Sequence, residues 1–252
     1  MAKLSSIVQY CDELLDISKF KDYAPNGLQV EGKNDVQKIV GGVTGSQALI
    51  DAAIELNADA ILVHHGFFWR NEDPRIVGIK GNRIKALMQS DISLLAYHLP
   101  LDAHAKLGNN IQLARILDIE VSTDSDAGQG QSLVMSGIFN PPISINELSK
   151  KIAKKLGRMP LVLPGGSDNV EYVAWCTGAA QSYIDQAVLL GADAYISGEV
   201  SESTTHSAKE MGITYFAAGH HATERYGVKC LLENVKEKFS IDCVFVDIDN
   251  PV

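Results

Sequence analysis

An ungapped internal repeat is what most restricts the folds open to this chain. Residues 47–60 and 181–194 align at an offset of 134, with Gln, Ile, Asp, Ala, Leu, Ala, Asp and Ala coinciding at eight of fourteen positions. Shared α/β composition rarely gives that much identity without gaps, so the pattern is read as an internal duplication. In each copy a stretch of helical periodicity, Gln47 to Leu56 or Gln181 to Leu190, leads into a run of small and apolar residues. Such runs suit strands buried on both faces of a parallel sheet. The expectation is an α/β chain of two similar domains with a site at their interface. At 252 residues there is room for two units of about 125 each. Between Ser122 and Ser132 the composition turns to Ser, Thr, Asp, Gly and Gln. The boundary is therefore set at 1–125 and 126–252, with terminal elements open to exchange.

The residues just past each strand carry the chemistry. In open α/β sheets, ligands bind just outside the carboxyl ends of the strands. The first copy runs into His64-His65-Gly66, and the second into Ser197-Gly198-Glu199. Two adjacent imidazoles there reach either one site or two neighbouring ones. The next apolar run, Ile92 to Tyr97, is followed by His98 and Asp102; Ile213 onward is followed by His220 and Glu224, at an offset of 122. Each half thus delivers a His-x-x-x-carboxylate pair, and on a helix those two side chains share a face. Pro100 argues against a regular helix after His98, so a bent loop is expected there. If the halves pack about a pseudo-two-fold axis, all these strand ends border one cleft.

A set of imidazoles and carboxylates without cysteine suits divalent zinc, iron, manganese, cobalt or nickel. Two metals bridged by one carboxylate need at least about five protein ligands, and a water acidified there attacks an electrophile. That chemistry is hydrolytic. Other signals point to ordinary structure. Gly41 to Gly45 lacks the lysine of a phosphate-binding loop and is read as a tight turn. Cys11, Cys176, Cys230 and Cys243 form no CxxC pair and are read as free, mostly buried thiols of a reducing compartment. His104 and His206 are expected to be surface or hydrogen-bonded residues, and one of His220 and His221 to hold a ligand in place rather than be one. Lys150, Lys151, Lys154 and Lys155 are expected to coat the solvent face of a helix opened by the capping box Ser144-Ile145-Asn146-Glu147. Ser5 or Ser6 is expected to cap the first helix. A formal charge of −9 argues against a nucleic-acid or anionic-membrane binder, and no segment has the apolar length of a membrane span, so a cytoplasmic location is expected.

The stretches Asp22-Tyr23-Ala24-Pro25-Asn26-Gly27-Leu28-Gln29-Val30-Glu31-Gly32, Val63-His64-His65-Gly66, His98-Leu99-Pro100-Leu101-Asp102, Ser197-Gly198-Glu199 and Gly219-His220-His221-Ala222-Thr223-Glu224 occur in that order. Together they resemble the Nif-three-like dinuclear metal-centre family, also called the GTP cyclohydrolase I type 2 homologues, in its short form without a central insert. The resemblance spans nearly the whole chain. It implies a two-domain α/β protein assembled as a toroidal homohexamer, with two metals per chain at the domain interface. Carried over by motif, it implies His64, His65, Asp102, His220 and Glu224 as the metal ligands, Glu224 bridging. It places His98 close by, either as an additional ligand or as a residue that supports one. The function expected is metal-dependent hydrolysis of a small, nucleotide-like molecule, with His98 or Glu199 shuttling protons; cyclohydrolase action on GTP is the version named by the resemblance. The competing reading is a non-enzymatic metal carrier or insertion factor. A ring that recognises a protein or a DNA end is the third.

Overall fold

A computed structural model describes residues 1–122 and 133–252. The proposed boundary at 125/126 lies outside the described residues. Contacts instead divide the chain into one unit of Met1–Leu101 with Gly227–Asp249, and a second of Asp102–Tyr226 with Asn250–Val252. The last strand and most of the last helix therefore belong with the first unit.

In chain order the first strands are β1 (Ala2–Lys3), β2 (Gly27–Val30), β3 (Asp35–Val36), β4 (Lys38–Thr44), β5 (Ala60–His65) and β6 (Ser93–Ala96). They are followed by β7 (Glu120–Val121), β8 (Met135–Ser144), β9 (Leu161–Leu163), β10 (Asn169–Cys176), β11 (Ala194–Ser197), β12 (Thr214–Ala217) and β13 (Asp242–Phe245). In the first unit the described residues form a sheet of order β13-β4-β5-β6-β2, in which only β2 runs antiparallel to its neighbour. The short pair β1 and β3 stands apart from it. In the second unit the order is β7-β8-β10-β11-β12-β9, with β10, β11 and β12 parallel and the flanking pairs antiparallel.

Both sheets are buried on both faces, as apolar runs without alternation require. In β5, Ala60 and Leu62 pack into a cluster with the first helix, Leu4–Leu14, and with Val228, Leu231 and Val235 of the last. Ile61 and Val63 point the other way, to Leu49, Ile50 and Ala53 of the helix Gln47–Glu55. The second unit repeats the plan. Ala194 and Ile196 pack with Leu148, Ile152 and Leu156 of the helix Ile145–Leu156, and Tyr195 packs with Ile184 and Ala187 on the opposite face. Ile50 and Ile184 thus hold equivalent places in the repeated stretch, each burial contributing roughly 1.5–3 kcal/mol. The repeated aspartates match too. Asp59 accepts from the backbone N–H groups of Gln37 and Lys38 at 2.8 and 3.2 Å, and Asp193 from those of Glu171 and Tyr172 at 2.9 Å each. Each ties the start of one strand to the turn before the next.

Several local expectations are corrected. Gly41 and Gly42 lie inside β4 and form no turn. A Cβ on Gly41 would collide with Leu232, and one on Gly42 with Leu49, so these glycines let helices close on both faces of one strand. Pro100 does not prevent a helix: Leu99–Ala103 is one, because proline in a first turn gives up an N–H that has no intrahelical acceptor. The first helix starts at Leu4 with Lys3 at its cap position, so Ser5 and Ser6 fall within its first turn. The Ser144–Glu147 capping box is present as expected, with Ser144 accepting from the Glu147 N–H at 3.3 Å. Lys150, Lys154 and Lys155 are exposed, while Lys151 pairs with Asp118 at 3.1 Å.

Candidate metal centre

The first unit gathers imidazoles at the carboxyl edge of its sheet. His64 and His65 end β5, and His98 follows β6, the parallel strand beside it. Their ring centroids are 4.4 Å apart for His64 and His65, 5.1 Å for His64 and His98, and 5.6 Å for His65 and His98. One nitrogen from each of the three lies within 4.8 Å of the others. Backbone and carboxylate partners set the tautomers. His64 is fully buried, and its Nδ1 lies 2.8 Å from the carbonyl of Tyr97. A carbonyl only accepts, so the ring hydrogen is on Nδ1 and the lone pair is on Nε2. His98 Nδ1 donates to Asp22 at 2.9 Å.

Asp22 is itself well held. It accepts from the Leu99 N–H at 3.0 Å and from the Asn26 amide at 3.0 Å, while Asn26 accepts from the His98 N–H at 2.7 Å. Burial pushes the Asp22 carboxyl up, but the His98 contact and the other donors outweigh it and hold the group far below the usual carboxylate range. An ionised Asp22 locks the His98 ring. The segment containing Asp22 and Asn26 is legible in sequence only as a turn with Pro25; nothing in its spacing points to a histidine more than seventy residues away.

The second unit gathers mostly acids. Glu224 is buried on the helix His220–Phe239, one turn beyond His220, and its Oε2 lies 3.0 Å from His220 Nε2. The other nitrogen of His220 lies 2.7 Å from Glu199, which follows β11. Burial pushes the His220 pKa down, but Glu224 and Glu199 on its two nitrogens raise it to about 9. Asp102 is buried and accepts from Asn109 at 2.8 Å and Thr177 at 3.4 Å; one of its oxygens lies within 4.8 Å of one from Glu224. Gly178, with a φ of +71°, closes this pocket, since any Cβ there would overlap Glu224 Oε1. Its carbonyl accepts from the N–H groups of Gly198 and Glu199 at 2.9 and 3.2 Å, which binds the ends of β10 and β11 together. Sequence reasoning did not single out Gly178, Thr177 or Asn109.

The remaining histidines separate cleanly. His104 Nδ1 accepts from the N–H groups of Lys106 and Leu107 at 3.2 and 3.0 Å, which makes it part of a turn. His206 is exposed and lies 3.4 Å from Glu202, one helical turn before it. His221 is buried, and its N–H donates to the Val252 carbonyl at 2.9 Å. The four cysteines carry no disulfide; burial, then Asp102 and Glu224, push the Cys176 thiol well above its ordinary value, so it holds its proton and is no nucleophile.

As a donor set, imidazole and carboxylate fit a moderately hard divalent cation. Both His64, with its lone pair on Nε2, and the Gly178 cradle around Glu224 have the form of built ligand positions. Among the described residues no helix is long and apolar enough to cross a membrane.

Known proteins resemble this chain over nearly its whole length. A protein of Vibrio cholerae named GTP cyclohydrolase 1 type 2 homolog is 55% identical over 243 residues, covering 96% of each chain. A solved structure described as protein ybgI, of unknown function, superposes with a TM-score of 0.95 at 51% identity over the whole of both chains. One from Thermus thermophilus gives 0.90 at 35% identity, again over both whole chains. The model of one family matches residues 2–251, and the chain accordingly belongs to the Duf34/NIF3 (NGG1p interacting factor 3) family.

Proposed function

We propose that His64 and His65 of the first unit and Asp102, His220 and Glu224 of the second are the residues that would hold two divalent cations. The protein then acts as a metal-dependent hydrolase of a small, nucleotide-like substrate. The observation that carries this reading is the pair of clusters at the carboxyl ends of two parallel sheets, imidazole-rich in one unit and acid-rich in the other. His98 directly precedes the short helix Leu99–Ala103, and Asp102 lies within it. The names of the relatives favour hydrolytic ring opening over other reactions.

Bound divalent cations supply Lewis acidity and bring the pKa of a coordinated water toward neutrality. The chain's own groups do the rest. Tyr97 O and Glu199 orient the rings of His64 and His220 through their Nδ1 atoms. His98 is placed to move a proton at Nε2, because the Asp22 carboxylate on Nδ1 fixes the orientation and tautomer of its ring. The resemblance also leads us to expect a ring of six chains, which light scattering on the purified protein reads directly.

The test is a metal-loaded screen over phosphoesters, amides, nucleotides and cyclic amidines, with metal content measured in the same samples and His64→Ala as control. Turnover that needs metal and disappears in His64→Ala supports the hydrolase. Labile metal that passes to an apo-acceptor, with no turnover across the panel, replaces it with the metal carrier.

A further inference from the structure

Beside the imidazole cluster, and wholly within the first unit, lies an open cavity of about 490 Å³ with Tyr23, Phe68 and Trp69 among its walls. Small-molecule sites run to roughly 300–1,000 Å³, so a one- or two-ring molecule fits. The aromatic wall is built in advance. Tyr23 and Trp69 stack at 5.7 Å and 30°, although they lie on separate loops. Arg70 clips those loops together, its N–H donating to Tyr23 O at 2.8 Å and its guanidinium to Asp22 O at 2.7 Å. Such preorganisation lowers the ordering cost of binding.

The wall also abuts the candidate centre. His98 stands edge-on to Tyr23 at 5.0 Å and to Trp69 at 5.3 Å, and Trp69 is 6.0 Å from the ring of His65. Opposite charges mark another part of the lining: Lys80 lies 3.5 Å from Glu72 and 4.8 Å over the face of Phe68. Aromatic faces recognise a flat π-system, and a donor–acceptor pair beside them recognises a polar ring edge. An alkyl phosphate would leave the faces unused.

We infer that this cavity binds a planar heteroaromatic ring by stacking against Trp69 and Tyr23, presenting the ring to the His65–His98 side. The inference deepens the hydrolase reading by naming the part of the substrate that is recognised. Stacking itself needs no metal, so the two can fail separately.

The experiment uses the full chain stripped of metal by a chelator. Trp69 is half-buried and reports on the cavity, whereas Trp175 is fully buried, with its indole donating to the Asn110 carbonyl, and supplies a constant background. Guanosine and adenosine are titrated against intrinsic fluorescence, with ribose 5-phosphate as the control that lacks an aromatic ring. The expected result is saturable quenching by both nucleosides and none by ribose 5-phosphate. Trp69→Ala, followed by calorimetry, and Tyr23→Ala, followed by fluorescence, are each expected to weaken binding about ten-fold, the scale of one lost stacking contact. Tyr23 is 52% exposed, so its removal leaves the core intact and guards against a Trp69→Ala variant that does not fold. No nucleoside binding, tight binding of ribose 5-phosphate, or wild-type affinity in Tyr23→Ala would each overturn the assignment. Nucleoside binding that survives in His64→Ala while metal is lost separates this site from the metal reading.

Discussion

The two units use one scaffold and load it with opposite chemistry. In the first, β4, the helix Gln47–Glu55, β5 and β6 end in His64, His65 and His98. In the second, β10, the helical stretch 181–189, β11 and β12 end in Gly198, Glu199 and His220, with Glu224 one helical turn further on. At the offset of the repeat, His64 aligns with Gly198 and His65 with Glu199. One feature is retained in both. His98 and His220 each follow a parallel strand, and each holds a carboxylate on Nδ1, Asp22 at 2.9 Å and Glu199 at 2.7 Å. The carboxylates come from different parts of the fold, a loop before β2 in one case and the end of β11 in the other. Similar strand ends therefore carry different residues, an imidazole-rich set in one unit and an acid-rich set in the other.

The strongest way to break this comparison is to remove the acid half. Glu224→Ala is expected to lower metal retention more than the 10–100-fold typical of residues that only support a ligand, with the fold retained by circular dichroism. Metal analysis after gel filtration reads this, and a variant that keeps its metal would dissolve the contrast between the halves. Gly178→Ala comes next. Its Cβ overlaps Glu224 and its φ of +71° suits only glycine without strain, so it is expected to cost about 2–4 kcal/mol in denaturant melts as well as weakening metal binding.

The supporting carboxylates sharpen the comparison. Asp22→Asn and Glu199→Gln are each expected to lower activity or metal affinity by about 10–100-fold, but in different ways. Glu199→Gln should appear as weaker metal binding through His220, and Asp22→Asn as slower turnover at normal metal content through His98. Equal effects on metal content would mean that His98 is a ligand equivalent to His220.

The smallest effect tests the shared scaffold. Burial raises the Asp59 carboxyl, but the Gln37 N–H, Lys33 and the Lys38 N–H outweigh it, so its folded pKa is lowered. A depressed carboxylate stabilises above its unfolded pKa of about 3.9, and that contribution is lost as pH falls through the folded value. Asp59→Asn is thus expected to destabilise by about 1 kcal/mol near neutrality, a difference that shrinks in urea melts run in acid. Asp193→Asn, at the same place in the second unit, should cost a similar amount at neutral pH if the two aspartates do the same work.

Much of this was legible in the chain because its signals are local. The capping box at Ser144, the strand leading into His64 and His65, and the i,i+4 spacing of His220 and Glu224 each fit within a few residues. The misreadings were local rules overruled by packing: Gly41 and Gly42 resemble a turn until Leu232 and Leu49 are seen against them. The supporting groups were invisible for a different reason. Asp22 meets His98 across 76 positions and Thr177 meets Asp102 across 75, and no periodicity links them.

By itself the sequence determined that parallel strands would end in imidazoles and acids, because short apolar runs followed by polar residues allow little else once buried. It also determined the repeat, and with it the likeness of the two sheets. Only the tertiary structure decided which nitrogen of His64 and His98 is protonated, which backbone position must lack a Cβ, and where the aromatic cavity opens. Those depend on the distance between atoms far apart along the chain, a quantity set by how whole elements pack against one another.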